Sequence, residues 1–442
     1  MSPLLRMIWA FGYKLFLAVI TFSISLITGR YLGASGRGFY TNTTTYLVYY
    51  QPGVGVFSDF IPFAINKKKY DPQKVLSTSL SFWLMLSVSI FALMLLTTKW
   101  MWSGFLGLEP ETTRGIWIAG LLVPFALLQV YLTRFVWGLN QLEWLNRLNT
   151  MQGAFLLGLL LVVLVGMRPP ESVDVYWALG AWVVSFVLAS LVSIYVVTRK
   201  LGYKLLPKAD PQIRRENFSF GSRMLVGNLI FALNARIDVT LVWAFMTQSA
   251  TGVYGIAISS AEMLNLISNS IIQVVLTRMA SLDEKDSTLL TVRIFRHTAV
   301  VIVFSVIGMA LFMPLMIALY GPEYSSALQP FYILLPGIAL FSLAMVLIQY
   351  FNNQLGRPQV MSWMQLISIA TTVILSSILM PRFGEIGAAM AKTGGFTLFF
   401  LAVTGYFAYV TKFPFFKLFL LTGEEIGQYK SFLGKIFNRL RR

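Results

Sequence analysis

Eight charged side chains fall inside stretches that are otherwise apolar: Lys14, Asp59, Arg134, Arg223, Arg236, Asp238, Glu262 and Lys392. A charge in hydrocarbon is costly, so each must find a partner, reach an interface, or serve a substrate or ion path. Lys14, Asp59, Arg134 and Arg223 lie toward one end of their stretches, where long side chains can reach the interface. Arg236 and Asp238 lie near mid-stretch, and Glu262 and Lys392 well inside theirs. Five of the eight are basic and three acidic, a net +2 that suits an anionic ligand.

Helical spacing sorts the polar groups into faces. Asn234 and Asp238 are one turn apart, a pairing that can hold a proton or a sodium ion, with neutral help from Gln365, Ser368 and Thr371. Arg236 is two residues from Asp238 and therefore points elsewhere. It serves an anionic ligand or pairs with Glu262 on the next helix. Ser259, Glu262, Asn265, Asn269 and Gln273 cover about a third of one helix circumference. Lys14, Thr21, Ser25 and Thr28 form a stripe on the first helix, and the second opens with the polar run from Tyr40 to Tyr46.

The elements that position these groups are membrane helices. The chain of 442 residues is 57% hydrophobic and 12% charged, with mean hydropathy +0.70, the composition of a polytopic membrane protein. It has no Cys and a single His, His297, which removes thiol chemistry and a His-based metal site. The net charge of +17 reads as basic loops facing anionic lipid, not nucleic acid. No cofactor is implied. A membrane enzyme would need acid–base groups with a substantial loop or a membrane His, and the loops are short.

About twelve spans of roughly 20–25 residues are expected, near 9–28, 38–63, 75–96, 115–138, 149–167 and 175–198, then 220–245, 252–280, 292–319, 327–351, 359–380 and 386–410. A Gly-rich turn at 29–38 separates the first two, and the longest loop, 199–217, the sixth and seventh. Ser35–Tyr40 and Ser249–Tyr254 share Ser, Gly and Tyr in register. Phe11-Gly12-Tyr13-Lys14 rhymes with Phe220-Gly221-Ser222-Arg223, which suggests one unit written twice. The expected organisation is a six-helix lobe over 1–205, a second over 206–411, and a basic amphipathic tail over 412–442. About 24 of the Lys and Arg fall in segments on the N-terminal side of the membrane and about 6 on the other, placing both termini in the cytoplasm.

Several landmarks together resemble a known superfamily. They are Arg30-x-Leu32-Gly33 with Gly38-x-Tyr40, Asn234-Ala235-Arg236-Ile237-Asp238 before Gly252-Val253-Tyr254, and Tyr320-Gly321-Pro322-Glu323-Tyr324. Leu355-Gly356-Arg357-Pro358 and the run from Pro381 to Ala389 agree. The chain resembles the multidrug/oligosaccharidyl-lipid/polysaccharide (MOP) exporters, and within them Wzx-type polysaccharide flippases. That resemblance implies an all-α fold of two pseudo-symmetric six-helix bundles around a central cavity, in the cytoplasmic membrane. It implies movement of undecaprenyl-pyrophosphate-linked oligosaccharide to the outer leaflet. The implied partners are membrane lipid, the lipid-linked substrate, a coupling proton or sodium ion, and the polysaccharide biosynthesis machinery. Twelve spans rather than fourteen argue against the lipid II flippase branch. On this reading Arg236 and Lys392, with Lys14 and Arg223 nearer the mouth, contact pyrophosphate or acidic sugars. Glu262, Asn265, Asn269 and Gln273 bond sugar hydroxyls, and Asp238 with Asn234 holds the coupling ion. The alternative is an ion-coupled drug/cation antiporter of the same superfamily, in which Asp59, Asp238 and Glu262 trade cations.

Overall fold

The computed structural model describes residues 3–50, 52–97, 110–168, 174–266, 268, 284–355, 357, 359–423 and 425–427. Helices dominate these residues, and no strand occurs among them. Nine helices among them are long and apolar enough to cross a membrane. Two of the nine are each a pair of helices merged at a glycine with positive φ: Gly33 (φ 64°) and Gly384 (φ 59°). Those two breaks, with the helix that starts at Gln248, yield twelve elements.

They are α1 (3–32), α2 (34–50, continued by Pro52–Ser58 and Phe60–Asn66), α3 (Pro72–Thr97), α4 (Arg114–Gly138), α5 (Leu142–Met167) and α6 (Asp174–Lys200). The second set is α7 (Pro211–Phe245), α8 (Gln248–Ala261, helical again at 264–266), α9 (Glu284–Tyr320), α10 (Leu328–Gln349), α11 (359–383) and α12 (385–411).

The architecture is two six-helix bundles. Phe60, Ile61, Tyr131, Leu132 and Phe135 anchor an apolar cluster among α2–α7. Phe295, Phe331, Leu334, Ile338, Phe399 and Val403 anchor another among α7–α12. Outward faces such as Phe304, Leu311, Leu315 and Trp363 remain uncovered, as lipid-facing surfaces do.

Two expected boundaries shift. The Gly-rich turn at 29–38 is a break of one residue, because Gly33 takes a backbone conformation open to glycine. The new helix is capped across the molecule: Glu323 Oε2 accepts from the Ala34 amide at 3.1 Å. The expected loop at 199–217 ends early. Asp210 accepts from the amides of Gln212 (3.0 Å) and Ile213 (3.2 Å), and Pro211 occupies the first helical position, so α7 starts there.

The repeated glycines meet. A Cβ on Gly38 would lie 1.8 Å from the Gln248 carbonyl oxygen, and one on Gly252 would lie 2.0 Å from that of Ala34. The first turns of α2 and α8 therefore cross with backbone against backbone, in the manner of small-residue membrane interfaces. Further hydrogen bonds clamp the same end: Tyr324 Oη to the Gly29 carbonyl (2.8 Å), Tyr320 Oη to Ser25 Oγ (2.9 Å), and Ser35 Oγ to Gln248 Oε1 (3.1 Å). We call this the glycine end. At the opposite, basic end α2 meets α7. Phe57 lies over Gly221, the Phe60 and Phe63 rings lie 5.6 Å from Phe220, and Glu216 accepts from Tyr70 Oη at 2.7 Å.

After α12 the chain docks on α9, where Arg296 binds Glu425 (3.3 Å) and the Lys417 carbonyl. Thr422 and Glu425 bond reciprocally, amide to side chain in both directions (2.7 and 3.3 Å). This is a capping box that opens a helix. The expected amphipathic segment beyond it, 428–442, lies outside the described residues.

Gly38→Ala or Gly252→Ala drives a methyl into backbone and is expected to destabilise by about 1–3 kcal/mol. Thermal unfolding of purified protein should show a midpoint lower by several degrees. Gly180→Ala, where a Cβ meets nothing within 4 Å, should leave it unchanged or raise it.

Candidate functional site

Two charged pairs stand at different depths on α7. The deeper is Asp238 with Lys392. Lys392 is 1% exposed and Asp238 0%. The ammonium donates to Asp238 Oδ1 at 2.9 Å and to the Asn234 carbonyl at 2.6 Å, and lies 4.6 Å from the centre of the Phe396 ring. Tyr254 Oη donates to the other carboxylate oxygen at 2.7 Å. Asn234 Nδ2 donates to Gln365 Oε1. Helical geometry builds this cluster: Asn234 and Asp238 are one turn apart on α7, and Lys392 and Phe396 one turn apart on α12. Gln365, Ser368, Thr372 and Ser376 follow the same face of α11 and are all buried. The Ser368, Thr372 and Ser376 hydroxyls, Asn234 Oδ1 and Gln365 Nε2 have no partner among the described residues. Thr371, expected on this face, is turned away and bonds the Ile367 carbonyl instead.

The shallower pair is Arg236 with Glu262. Arg236 Nη1 donates to Glu262 Oε1 and Oε2 at 2.8 and 2.9 Å, and the side chains are 28% and 25% exposed. Such a pair is partly solvated and can re-pair with an incoming ligand; a fully buried one cannot without a large desolvation cost. Tyr49 of α2 reaches the same level of α7 through Thr240 Oγ1.

Three cavities flank these helices. One of about 1000 Å³ at the basic end is walled by Phe60, Phe63, Lys68, Arg215, Phe220 and Arg223 among others. Another of about 320 Å³ lies between α1 and α8, bounded by Thr21, Ser25, Ser259 and Ser260 together with apolar groups. Beside it, an apolar recess of about 620 Å³ is formed by Val19, Gly308, Met309, Phe312 and Phe331. The last two share Ala18, Phe22 and Met263, so they are contiguous.

The candidate residues separate accordingly. Arg236 and Glu262 pair at intermediate depth. Lys392 is inside the second bundle, joined to Asp238 and Asn234, and does not line these cavities. Arg223 stands on the wall of the large cavity, bonded to Ser219. Asn265 Oδ1 accepts from Ser342 of α10 at 2.6 Å. Lys14 is on the described backbone of α1, but its side chain lies outside the described residues, as do Asn269 and Gln273 entirely. Asp59 and Arg134 form their own pair at 3.0 Å. The sequence reading missed Tyr254, Phe396, Thr372 and Glu323. Tyr254 carried a signal, since it is the Tyr of the repeated Gly-x-Tyr; Glu323 stood in the Tyr320–Tyr324 landmark with nothing local to show that it caps a helix across the molecule, and an isolated Phe in α12 carried no signal.

Comparison with known proteins bears on the family and the fold. A family model described as polysaccharide biosynthesis protein matches residues 56–329. An uncharacterised membrane protein of Methanocaldococcus jannaschii is 24% identical over 237 residues, 49% of this chain. That stretch is 45% of the relative, so this chain spans about half of its length. Among solved structures, a lipid II flippase, MurJ, in an inward closed conformation matches with TM-score 0.73 at 14% identity, over 93% of this chain and 89% of that one. An inward-facing multidrug resistance MATE family transporter of the MOP superfamily matches with TM-score 0.72 at 14% identity, over 90% and 96%. The chain has the MOP fold.

Arg236→Ala leaves the Glu262 carboxylate without its counter-charge in a partly desolvated place. The expected result is a lower unfolding midpoint and lower yield, and Glu262→Ala combined with it should restore much of the loss. Thermal unfolding of the two single variants and the double variant measures the coupling.

Proposed function

The chain belongs to the polysaccharide biosynthesis protein family, and on that premise we propose that it is a flippase. Its substrate on this reading is an undecaprenyl-pyrophosphate-linked oligosaccharide, moved from the inner to the outer leaflet of the cytoplasmic membrane by alternating access. On this reading both termini and the basic end face the cytoplasm, which the Lys and Arg distribution supports, and the glycine end faces outward.

The observation that carries the proposal is that the cavity between α1 and α8, where Thr21, Ser25, Ser259 and Ser260 set hydroxyls into an otherwise apolar wall, is contiguous with the apolar recess against α9 and α10. A lipid-linked glycan is amphipathic. Its head needs hydrogen-bonding partners through the membrane, and its tail needs none but hydrocarbon. A hydroxyl-bearing space that adjoins an apolar one through Ala18, Phe22 and Met263 offers a place to both parts. The large cavity supplies the entrance: Lys68, Arg215 and Arg223 on its wall attract a pyrophosphate. Arg236 then exchanges Glu262 for the anionic head, with Lys14 contributing near the mouth. The freed Glu262, with Asn265, Asn269 and Gln273, bonds sugar hydroxyls.

Coupling resides in Asp238 and Asn234. Lys392 belongs with them and not with the head-group contacts expected from its charge, because its ammonium is spent on Asp238 and the Asn234 carbonyl. The glycine end is closed in this state, so the next step of the cycle must separate α2 from α8 at Gly38 and Gly252.

The test fills the apolar recess. A Cβ at Gly308, on the wall of the recess, meets nothing within 4 Å, so Gly308→Trp is the substitution chosen to fill it. Surface glycan in cells that depend on this protein should fall roughly tenfold or more, at unchanged protein level, because the tail loses its place. Drug extrusion measured beside it should be indifferent. Normal glycan display with a folded Gly308→Trp protein would overturn the proposal, and drug extrusion lost in parallel would favour the antiporter.

A further inference from the structure

The Lys392 ammonium is held as a bound cation would be. It sits between a carboxylate and a main-chain carbonyl, over an aromatic face, with no exposure to solvent. Carboxylate, carbonyl and hydroxyl oxygens are the ligand set of a hard monovalent or divalent metal ion. More oxygens of that kind stand close by. Thr372 and Ser368 face Gly395, three residues along α12 from Lys392: a Cβ on Gly395 would be 2.1 Å from Thr372 Oγ1 and 2.8 Å from the Ser368 carbonyl. Asn234, whose carbonyl accepts from Lys392, also carries a side-chain oxygen with no partner among the described residues. Oxygens of this kind suit a cation, and the cation the cluster has is covalently part of α12.

We propose that Lys392 is a tethered counter-cation filling a monovalent-metal site formed by Asp238 and Asn234, so that the native protein takes no sodium ion there. The inference rests on the coupling role proposed above for Asp238 and Asn234 and narrows it, since it removes sodium and leaves the proton. It is tested by ion binding alone, so it can stand or fall apart from transport. A sodium ion and the ammonium compete for one carboxylate, and desolvating two cations beside a single acidic group is prohibitive. Removing the ammonium should leave a cavity lined by oxygen with one net negative charge, which sodium can neutralise.

The experiment is thermal unfolding of the full chain, purified in detergent, in sodium chloride and in choline chloride at the same ionic strength of about 0.15 M. The native protein should give one midpoint in both salts. Lys392→Ala should unfold lower in choline and recover by about 5 °C in sodium, saturably with concentration. Lys392→Ala combined with Asp238→Asn should lose the sodium response. Lys392→Gln, which nearly keeps the side-chain volume but leaves Asp238 without a counter-charge, is carried through the same salts in case the alanine variant is poorly recovered. A sodium response in either single Lys392 variant that the added Asp238→Asn abolishes supports the proposal, as does recovery of folded protein in sodium only. Midpoints of both variants indifferent to sodium overturn it. So does failure to recover either one in sodium, or a native protein stabilised by sodium as strongly as the variants.

Discussion

Hydrocarbon does not solvate charge, and the positions of the bundle's buried ionic groups follow from that. Each charge that the helices carry deep into the second bundle has a counter-charge from a different helix. Asp238 of α7 meets Lys392 of α12, and Arg236 of α7 meets Glu262 at the end of α8. In the first bundle Asp59 of α2 meets Arg134 of α4. These pairs dictate register. Sliding α12 by one residue against α7 would turn Lys392 about 100° away from Asp238 and strand two charges in a dry interior, an outcome that costs about 3–5 kcal/mol when one partner of a buried pair is lost. The pairs therefore add little net stability but exclude alternative packings.

The halves are joined by another device. Charge fixes registers within a bundle, whereas the junction at the glycine end depends on the absence of side chains. Gly38 and Gly252 let α2 and α8 approach to backbone contact, and Glu323, Tyr320 and Tyr324 from the far side of the second bundle reach α1 and the start of α2. All these contacts are hydrogen bonds or close packing between preformed helices; none is a large apolar interface. A junction of this type can separate as a unit and reform, as alternating access requires.

Much of this was legible in the sequence, and the parts that were not share a cause. Span number, the pairing of Gly-x-Tyr segments and the split faces of α7 follow from periodicity, which depends on residues a few positions apart. That Arg236 and Asp238 point to different neighbours is a two-residue argument and needs no tertiary information. Which neighbours they find is a long-range fact. Lys392 stands 154 residues from Asp238 and Glu323 stands 289 from Ala34, and no local pattern encodes such distances. The same limit explains the Thr371 and Thr372 exchange on α11. Adjacent residues differ by about 100° around a helix, so a face read by eye from an uncertain boundary errs by one. Capping was legible but unread: Asp210-Pro211 marks the start of α7, and Thr422-x-x-Glu425 the start of the tail.

The two bundles repeat one another in outline but not in chemistry, and the difference assigns their roles. Lys14 and Arg223 occupy matching places in the repeat, both toward the basic end. Near the Asp238 level the match ends. In the offset that pairs Lys14 with Arg223, Asn234 corresponds to Ser25, and Asp238 to Gly29, whose carbonyl accepts from Tyr324. In the first bundle that level is therefore given over to the junction between halves, and in the second to a buried ionic cluster. A symmetric pair of clusters would move together and bias neither bundle. One cluster, confined to α7, α8, α11 and α12, couples its state to the shape of a single bundle. Because α7 also carries Arg236, displaced from Asp238 by two residues and facing Glu262, a shift of that helix is felt at both the dry pair and the solvated one. The same helix thus carries one partner of each pair, Asp238 in the dry one and Arg236 in the solvated one.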